Sequence, residues 1–201
     1  MAQKPVVPAE GEGSETRARI LDAAERLFGD QGFAAASIGE IAEAAGVNRA
    51  LIYYYFKDKR DLYRSVIQAG LDALSGILDE VRADTASARD KLADFVSRSY
   101  ALFTSSRAMV RIIHREVMGV GEKMDLPLGE YILRNFAKLE RIIRDGIRDG
   151  EFRQVDPRLA ARSLLGMLNI FITEPFVTGE AFSPRRVVKH TVELFCRGVA
   201  R

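Results

Sequence analysis

The sequence predicts an all-α chain: an N-terminal three-helix unit with a helix-turn-helix, then a larger helical domain, about nine helices in all. Three observations predict it. Apolar residues recur at helical spacing along most of the chain, with no strand alternation and no internal repeat. Capping residues and prolines stand just ahead of the apolar runs, at Ser37, Asn48, Asp58, Ser87, Asp156-Pro157 and Ser183-Pro184. Residues 37–61, SIGEIAEAAGVNRALIYYYFKDKRD, place a glycine turn between two short helical periods.

The elements follow in order. The start, MAQKPVVPAEGEGSE, is polar, rich in Pro and Gly, and has no apolar signal-peptide core, so residues 1–13 are expected to be a disordered arm. A first helix starts near Ser14 or Thr16 and stops before Gly32, with Ile20, Leu21, Ala24, Leu27 and Phe28 on one face. Ser37 and Glu40 make an S-x-x-E capping box for a second helix, whose Ile38, Ile41, Ala42 and Ala45 share a face. Gly46 supplies the left-handed turn, and Asn48 caps a third helix to about Tyr54. Val47, Ile52 and Phe56 turn to the core, leaving Arg49, Ala50 and Tyr53 outside. Asp58, with Asp61 at N3, opens a helix to about Arg82, in which Gly70 and Gly76 each cost about 1 kcal/mol relative to alanine. This gives domains at 14–60 and 61–201.

In the second domain, Ser87 with Asp90 caps a helix carrying Leu92, Phe95, Val96, Tyr100 and Phe103 to about Thr104. Another helix runs near Arg107 to Met118, with Arg115 and Glu116 read as an ion pair, and GVGEK is a loop. Asp125 and Pro127 open a long helix ending before Gly150, with Ile132, Phe136, Leu139, Ile142 and Ile143 inward. Its Arg134, Lys138, Glu140, Arg141, Arg144, Asp145, Arg148 and Asp149 read as a solvated face paired along the helix. Two last helices span about 157–178 and 184–199. The first of them is apolar nearly all round, so it needs burial on more than one side. A two-fold bundle with a second copy of the chain meets that need, which predicts a homodimer through the last two helices.

The chemistry of residues 37–61 points to double-stranded DNA. In a helix-turn-helix the second helix enters the major groove by its N-terminal residues. Arg49 there can give two hydrogen bonds to a guanine edge, and Ala50 allows close approach. Tyr53, Tyr54 and Tyr55 can bond phosphate, although successive residues point about 100° apart, so at least one ring belongs to the core. Lys57 and Lys59 lie where phosphates pass, and such contacts set register.

Four motifs carry a family resemblance. T-R-x-R-I-L-D-A-A-x-x-L-F from Thr16, G-F-A-A-A-S-I from Gly32, I-A-E-A-A-G-V from Ile41 and L-I-Y-Y-Y-F-K-D-K from Leu51 resemble the N-terminal domain of the TetR family of bacterial transcriptional regulators. The resemblance implies a homodimer that usually represses transcription from a palindromic operator and is released when a small molecule binds its C-terminal domain. It implies DNA contacts at Ser37, Asn48, Arg49, Ala50, Tyr53, Tyr54, Tyr55 and Lys59. Asn48 stands where serine or threonine is commoner, and Tyr55 where histidine is frequent.

Composition sets bounds. The 201 residues can bury a core, and 47% are hydrophobic. Net charge is only +2, so local clustering at Arg49, Lys57, Lys59, Arg60 and Arg64 matters more than bulk charge. A lone Cys196, read as a small buried residue, suits a reducing cytoplasm, and no apolar run reaches the roughly 20 residues that span a bilayer. His114 and His190 are the only histidines, and no zinc, P-loop or nucleophile-elbow motif occurs, so neither enzyme, metal site nor cofactor is expected. An apolar or amphipathic effector would sit among Phe103, Met109, Met118, Phe136, Leu139, Met167 and Phe171, with His114 as polar candidate. The competing function is a ligand-independent or nucleoid-associated DNA binder controlled by a protein partner.

Overall fold

A computed structural model of the chain describes residues 10–118, 128–180 and 182–199. Residues 1–9 of the expected arm 1–13, the GVGEK loop and the helix start at Asp125 and Pro127 lie outside the described residues; residues 10–13, expected in the arm, are instead the first turn of a helix that starts at Glu10 rather than near Ser14 or Thr16. Among the described residues the elements are α1 (Glu10–Ala35), α2 (Ile38–Ala45), α3 (Arg49–Tyr55), α4 (Lys59–Ala83), α5 (Ala88–Ser105), α6 (Arg107–Met118), α7 (Leu128–Arg148), α8 (Pro157–Thr173), α9 (Pro175–Thr178) and α10 (Pro184–Val199), with no strand. They form two units: Met1–Gly70 with Arg107–Leu126, and Leu71–Ser106 with Pro127–Arg201.

The first unit packs α1, α2, α3, the start of α4 and α6 around Ile20, Phe28, Ile41, Ile52, Phe56, Leu62, Ile67 and Ile112. α1 does not run straight to its end. Gly32 sits inside it at φ 83 and ψ 168, a conformation reserved for glycine, and kinks the helix where the sequence places its stop. A break of that kind frees carbonyls in the preceding turn, and α6 supplies their donors. Arg111 Nε donates to the Gly29 carbonyl at 2.9 Å and pairs with Asp30; Arg115 donates to the Phe28 carbonyl at 3.1 Å. Cations at a helix C-terminus also oppose its dipole. Close docking depends on Gly29, where a Cβ would lie 2.6 Å from both Cα and Cβ of Ala108. The expected Arg115–Glu116 pair is therefore replaced: Arg115 serves α1, and Glu116 accepts from the Tyr63 hydroxyl at 2.7 Å.

The second unit packs the rest of α4 with α5, α7, α8 and α10 around Leu78, Leu92, Phe95, Leu139, Ile143, Leu164, Leu168 and Phe195. Ser87 caps α5 through Asp90 N–H at 3.1 Å, and the Glu151 carboxylate adds acceptors for the N–H groups of Ala88 and Arg89 at 2.9 and 3.2 Å. Asp156 caps α8 ahead of Pro157, as expected. Two expectations need correction. The single helix over 157–178 is two, because Pro175 has no N–H and its ring clashes with the preceding turn, so α8 ends at Thr173. On α7 the inward face carries Tyr131, Asn135, Leu139, Ile142 and Ile143, while Ile132 is exposed.

Gly29→Ala should cost about 1–3 kcal/mol through the overlap with Ala108. Gly76→Ala, in a helix with open space around its Cβ, should instead stabilise by up to about 1 kcal/mol. Urea unfolding of the two variants checks the opposite signs.

Candidate nucleic-acid interface

The turn between α2 and α3 is held by local hydrogen bonds. Ser37 N–H donates to Glu40 Oε2 at 2.9 Å and Glu40 N–H to Ser37 Oγ at 3.2 Å, which closes the capping box and holds the Glu40 carboxyl below its ordinary range. Gly46 takes the left-handed conformation at φ 65, and the N–H of Val47 reaches the Ala42 carbonyl at 2.9 Å. Asn48 Oδ1 accepts from Leu51 N–H at 2.8 Å. At the far end, Asp58 Oδ1 accepts from Asp61 N–H at 2.8 Å and Asp61 Oδ2 from Lys57 N–H at 2.9 Å. Ile52 and Phe56 are buried beneath.

These constraints turn one face of α3 outward. Arg49 and Ala50 are exposed, and Tyr53 and Tyr54 are 55% and 54% exposed, far beyond what a folding core would leave for two aromatic rings. The Arg49 guanidinium lies over Gly39, where a Cβ would collide with it. Ser37, Asn48 and Lys57 are exposed on the same segment. Two residues expected on this face turn away. Tyr55 is half-buried, its ring edge-on to Tyr54 at 5.1 Å, and its hydroxyl is enclosed with no hydrogen-bond partner among the described residues. Helical spacing puts at least one of the three rings in the core, and Tyr55 is the one half-buried. Lys59 folds inward as well: its ammonium donates to the Ala34 carbonyl at 3.2 Å and stands 4.5 Å from the Phe33 ring centre. Partial burial pushes the Lys59 amine down, and Glu40 pulls it part of the way back. Gly39 and Phe33 were not legible as site residues, because their roles are to leave room for one cation and to seat another.

The residues expected around an effector are dispersed. Met109 is buried and His114 exposed, both on α6 in the first unit; the Met118 side chain lies outside the described residues. In the second unit Phe103 is half-buried and Leu139 fully buried. Phe136 lies under the Arg162 guanidinium at 4.5 Å. Met167 lines a shallow hollow with Leu159 and Leu194. Phe171 lines a different one of about 500 Å3, edge-on to Phe182 at 6.0 Å and His190 at 6.3 Å. The periodicity that selected them registers burial, not convergence. Not singled out in the sequence were Ser99 and Asn135, which are buried and carry polar atoms, Oγ and Oδ1, without hydrogen-bond partners among the described residues, and the buried Tyr131. Burial raises the Tyr131 hydroxyl above its ordinary pKa. The Cys196 thiol is likewise raised by burial, which suits an inert core cysteine.

Residues 20–66 match the family of bacterial regulatory proteins known as the tetR family, and residues 85–199 match the tetracyclin repressor-like C-terminal domain. The chain is 24% identical over 182 residues to the fatty acid metabolism regulator protein of Bacillus subtilis, covering 90% of this chain and 94% of the relative. It is 29% identical over 153 residues to the transcriptional repressor KstR2 of Rhodococcus jostii, covering 75% of each. Among solved structures it is similar, at TM-score 0.75 and 23% identity over 90% of this chain and 98% of the other, to the transcriptional regulator FadR of Bacillus subtilis in complex with stearoyl-CoA.

Lys59→Met should lower stability by about 1 kcal/mol, through loss of the charged hydrogen bond to Ala34 and the ring contact. Lys57→Met, whose side chain is exposed, should leave the melting temperature within error. Calorimetry of both variants separates the seated lysine from the free one.

Proposed function

This chain belongs to the TetR family of bacterial regulatory proteins, and we propose that it acts in the cytoplasm as a homodimeric repressor, released from a palindromic operator when its second domain binds a fatty-acyl effector. That it is a DNA-binding transcriptional regulator, not an enzyme, follows from the family. No helix among the described residues is long and apolar enough to cross a membrane.

The observation that carries the DNA reading is the outward face of α3. A seven-residue helix capped at both ends presents Arg49, Ala50, Tyr53 and Tyr54 to solvent while Ile52 anchors it from behind. In this reading Arg49 addresses a base edge. Ser37, Asn48, Tyr53, Tyr54 and Lys57 hold phosphates on either side. Tyr55 and Lys59 act chiefly by holding the helix ends in place. The DNA-binding domain is 14–60 and the sensing and dimerisation domain 61–201.

Dimerisation rests on α8 and α10. Leu159 and Ile170 on α8, and Leu194 on α10, are 64%, 54% and 53% exposed, large apolar side chains left uncovered on two helices of the second unit. A second copy covering that surface would pair two α3 helices with half-sites one DNA turn apart. The effector class is drawn from the acyl-related relatives. It is supported by Ser99 Oγ and Asn135 Oδ1, buried polar atoms that have no hydrogen-bond partner among the described residues and that a ligand's polar atoms would satisfy.

The purified protein should bind its own upstream DNA over random DNA at physiological salt, and stearoyl-CoA should release it. Arg49→Ala should lose about 1–3 kcal/mol at one base pair only, whereas Lys57→Ala should weaken cognate and random DNA alike and lower the salt slope by about 1. Equal effects of the two substitutions on both DNAs would sink this division of roles. Sedimentation should give a dimer at micromolar concentration, and Leu194→Asp should shift it to monomer; a wild-type monomer refutes the dimer.

A further inference from the structure

The outer side of α7 carries a second feature that the proposed function does not use. Arg82 of α4 and Arg134, Lys138, Glu140, Arg141 and Arg144 of α7 line an open hollow of about 360 Å3 within the second unit. In the sequence this face reads as pairs along one helix. The structure spends its carboxylates otherwise. Asp79 of α4 takes Lys138 at 2.6 Å and Arg82 at 3.7 Å, and Lys138 also donates to Ser75 Oγ at 2.6 Å. Glu140 is taken by Arg162 of α8 at 3.0 Å. Arg148 collects Asp145 and Asp149 at the helix end, at 2.8 and 2.9 Å. Arg141 and Arg144 are left exposed with no carboxylate partner among the described residues, and Arg134 rests against its neighbour Tyr131, 5.9 Å from the ring centre.

The result is a concave surface with unspent positive charge. Arg134, Arg141 and Arg144 fall at i, i+7 and i+10, so the guanidinium line is roughly 15 Å long at the helical rise. One phosphate would occupy a fraction of it. Guanidinium forks bind phosphate oxygens in pairs, and their geometry favours phosphate over water when several converge. A repeat of cations along a hollow suits a small head that carries phosphates at more than one place.

The geometry points to a recognition site for the phosphorylated head of the effector, with Arg134, Arg141 and Arg144 binding the phosphates of a nucleotide-type group such as that of an acyl-CoA. It rests on the acyl-effector reading and sharpens it: the thioester with its coenzyme, not the free fatty acid, is the ligand of this chain. Arg82 and Lys138 contribute field rather than contacts, since Asp79 engages both.

The test is titration of the full-length protein with stearoyl-CoA, free coenzyme A and stearic acid, in the wild type and in the Arg141→Gln/Arg144→Gln and Arg141→Lys/Arg144→Lys variants. Both side chains are exposed, and retained DNA binding reports that each variant is folded. Stearoyl-CoA affinity should fall about tenfold in the glutamine variant, the size of two exposed charge-assisted contacts. It should fall by an intermediate factor, about threefold, in the lysine variant, which keeps the charge but loses the two-pronged fork. Stearic acid should bind more weakly than the thioester and equally to all three proteins. A glutamine variant that binds stearoyl-CoA like the wild type overturns the site, as does equal loss for stearic acid. If neither acyl compound binds, the acyl reading falls, and free coenzyme A decides: binding lost in the glutamine variant keeps the phosphate site, and no binding to the wild type removes it.

Discussion

The helix break at Gly32 is the constraint on which the first unit depends. A positive φ there ends the straight run of α1 and leaves the Phe28 and Gly29 carbonyls facing α6. Buried or half-buried carbonyls need donors. Arg111 and Arg115 provide them, and Gly29 lets the Ala108 backbone come close enough for the two arginines to reach. The same break turns Phe33 back over Phe28 and Tyr63, at 6.1 and 5.2 Å between ring centres, and the Phe33 ring then seats Lys59. Tyr63 in turn donates to Glu116 of α6. One glycine thus ties α1, the start of α4 and α6 together through backbone carbonyls, not through packing alone. α6 joins α5 of the second unit through Ser106, so the helix clamped to α1 is continuous in sequence with that unit.

The short helix α3 illustrates a second constraint. α3 has seven residues, too few to form a helix on its own in water. Its ends are fixed by Asn48 before it and by the Asp61-to-Asp58 and Lys57-to-Asp61 bonds after it, and its burial comes from Ile52 with Phe56 beyond. Stability supplied from the ends and from one face leaves the other face without a structural task. That is why Arg49, Ala50, Tyr53 and Tyr54 can be chosen for chemistry at the surface.

Much of this was legible in the sequence because it is local. A capping box is four residues long, a glycine turn is one, and an apolar stripe repeats within two turns; Ser37, Gly46, Asn48, Ser87 and Asp156 each do in the structure what their neighbours in sequence imply. The misreadings are tertiary. Arg115 and Glu116 are adjacent in sequence, yet one faces α1 and the other α4. Lys59 opens a helix as expected, but the ring of Phe33, far away in sequence, draws it inward. The break before Pro175 was local and could have been read: a proline eighteen residues after Pro157 in an apolar run is a stop signal. The effector residues were beyond reach. Periodicity reports that Leu139 is inside, and says nothing of whether it touches a ligand or another leucine.

The polar groups of the second unit narrow that problem by energy. Ser99, Asn135 and Thr191 are 0%, 6% and 1% exposed, and each has a polar atom without a hydrogen-bond partner among the described residues. Leaving one such group unpaired costs about 1–3 kcal/mol. Several together are a sizeable share of the roughly 5–15 kcal/mol that separates a folded domain from its unfolded chain. Apolar residues of the same volume would remove that cost, so a chain selected for stability alone would have no reason to keep them. A ligand that supplies the missing partners recovers the cost on binding, and it stabilises the ligand-bound form in proportion to its concentration over its Kd. Tyr131 and Asn135 stand one turn apart on the inner side of α7, the helix whose outer side carries the exposed Arg134, Arg141 and Arg144. An amphipathic effector with a polar junction between an acyl chain and a phosphorylated head has the chemistry that both sides of this helix lack.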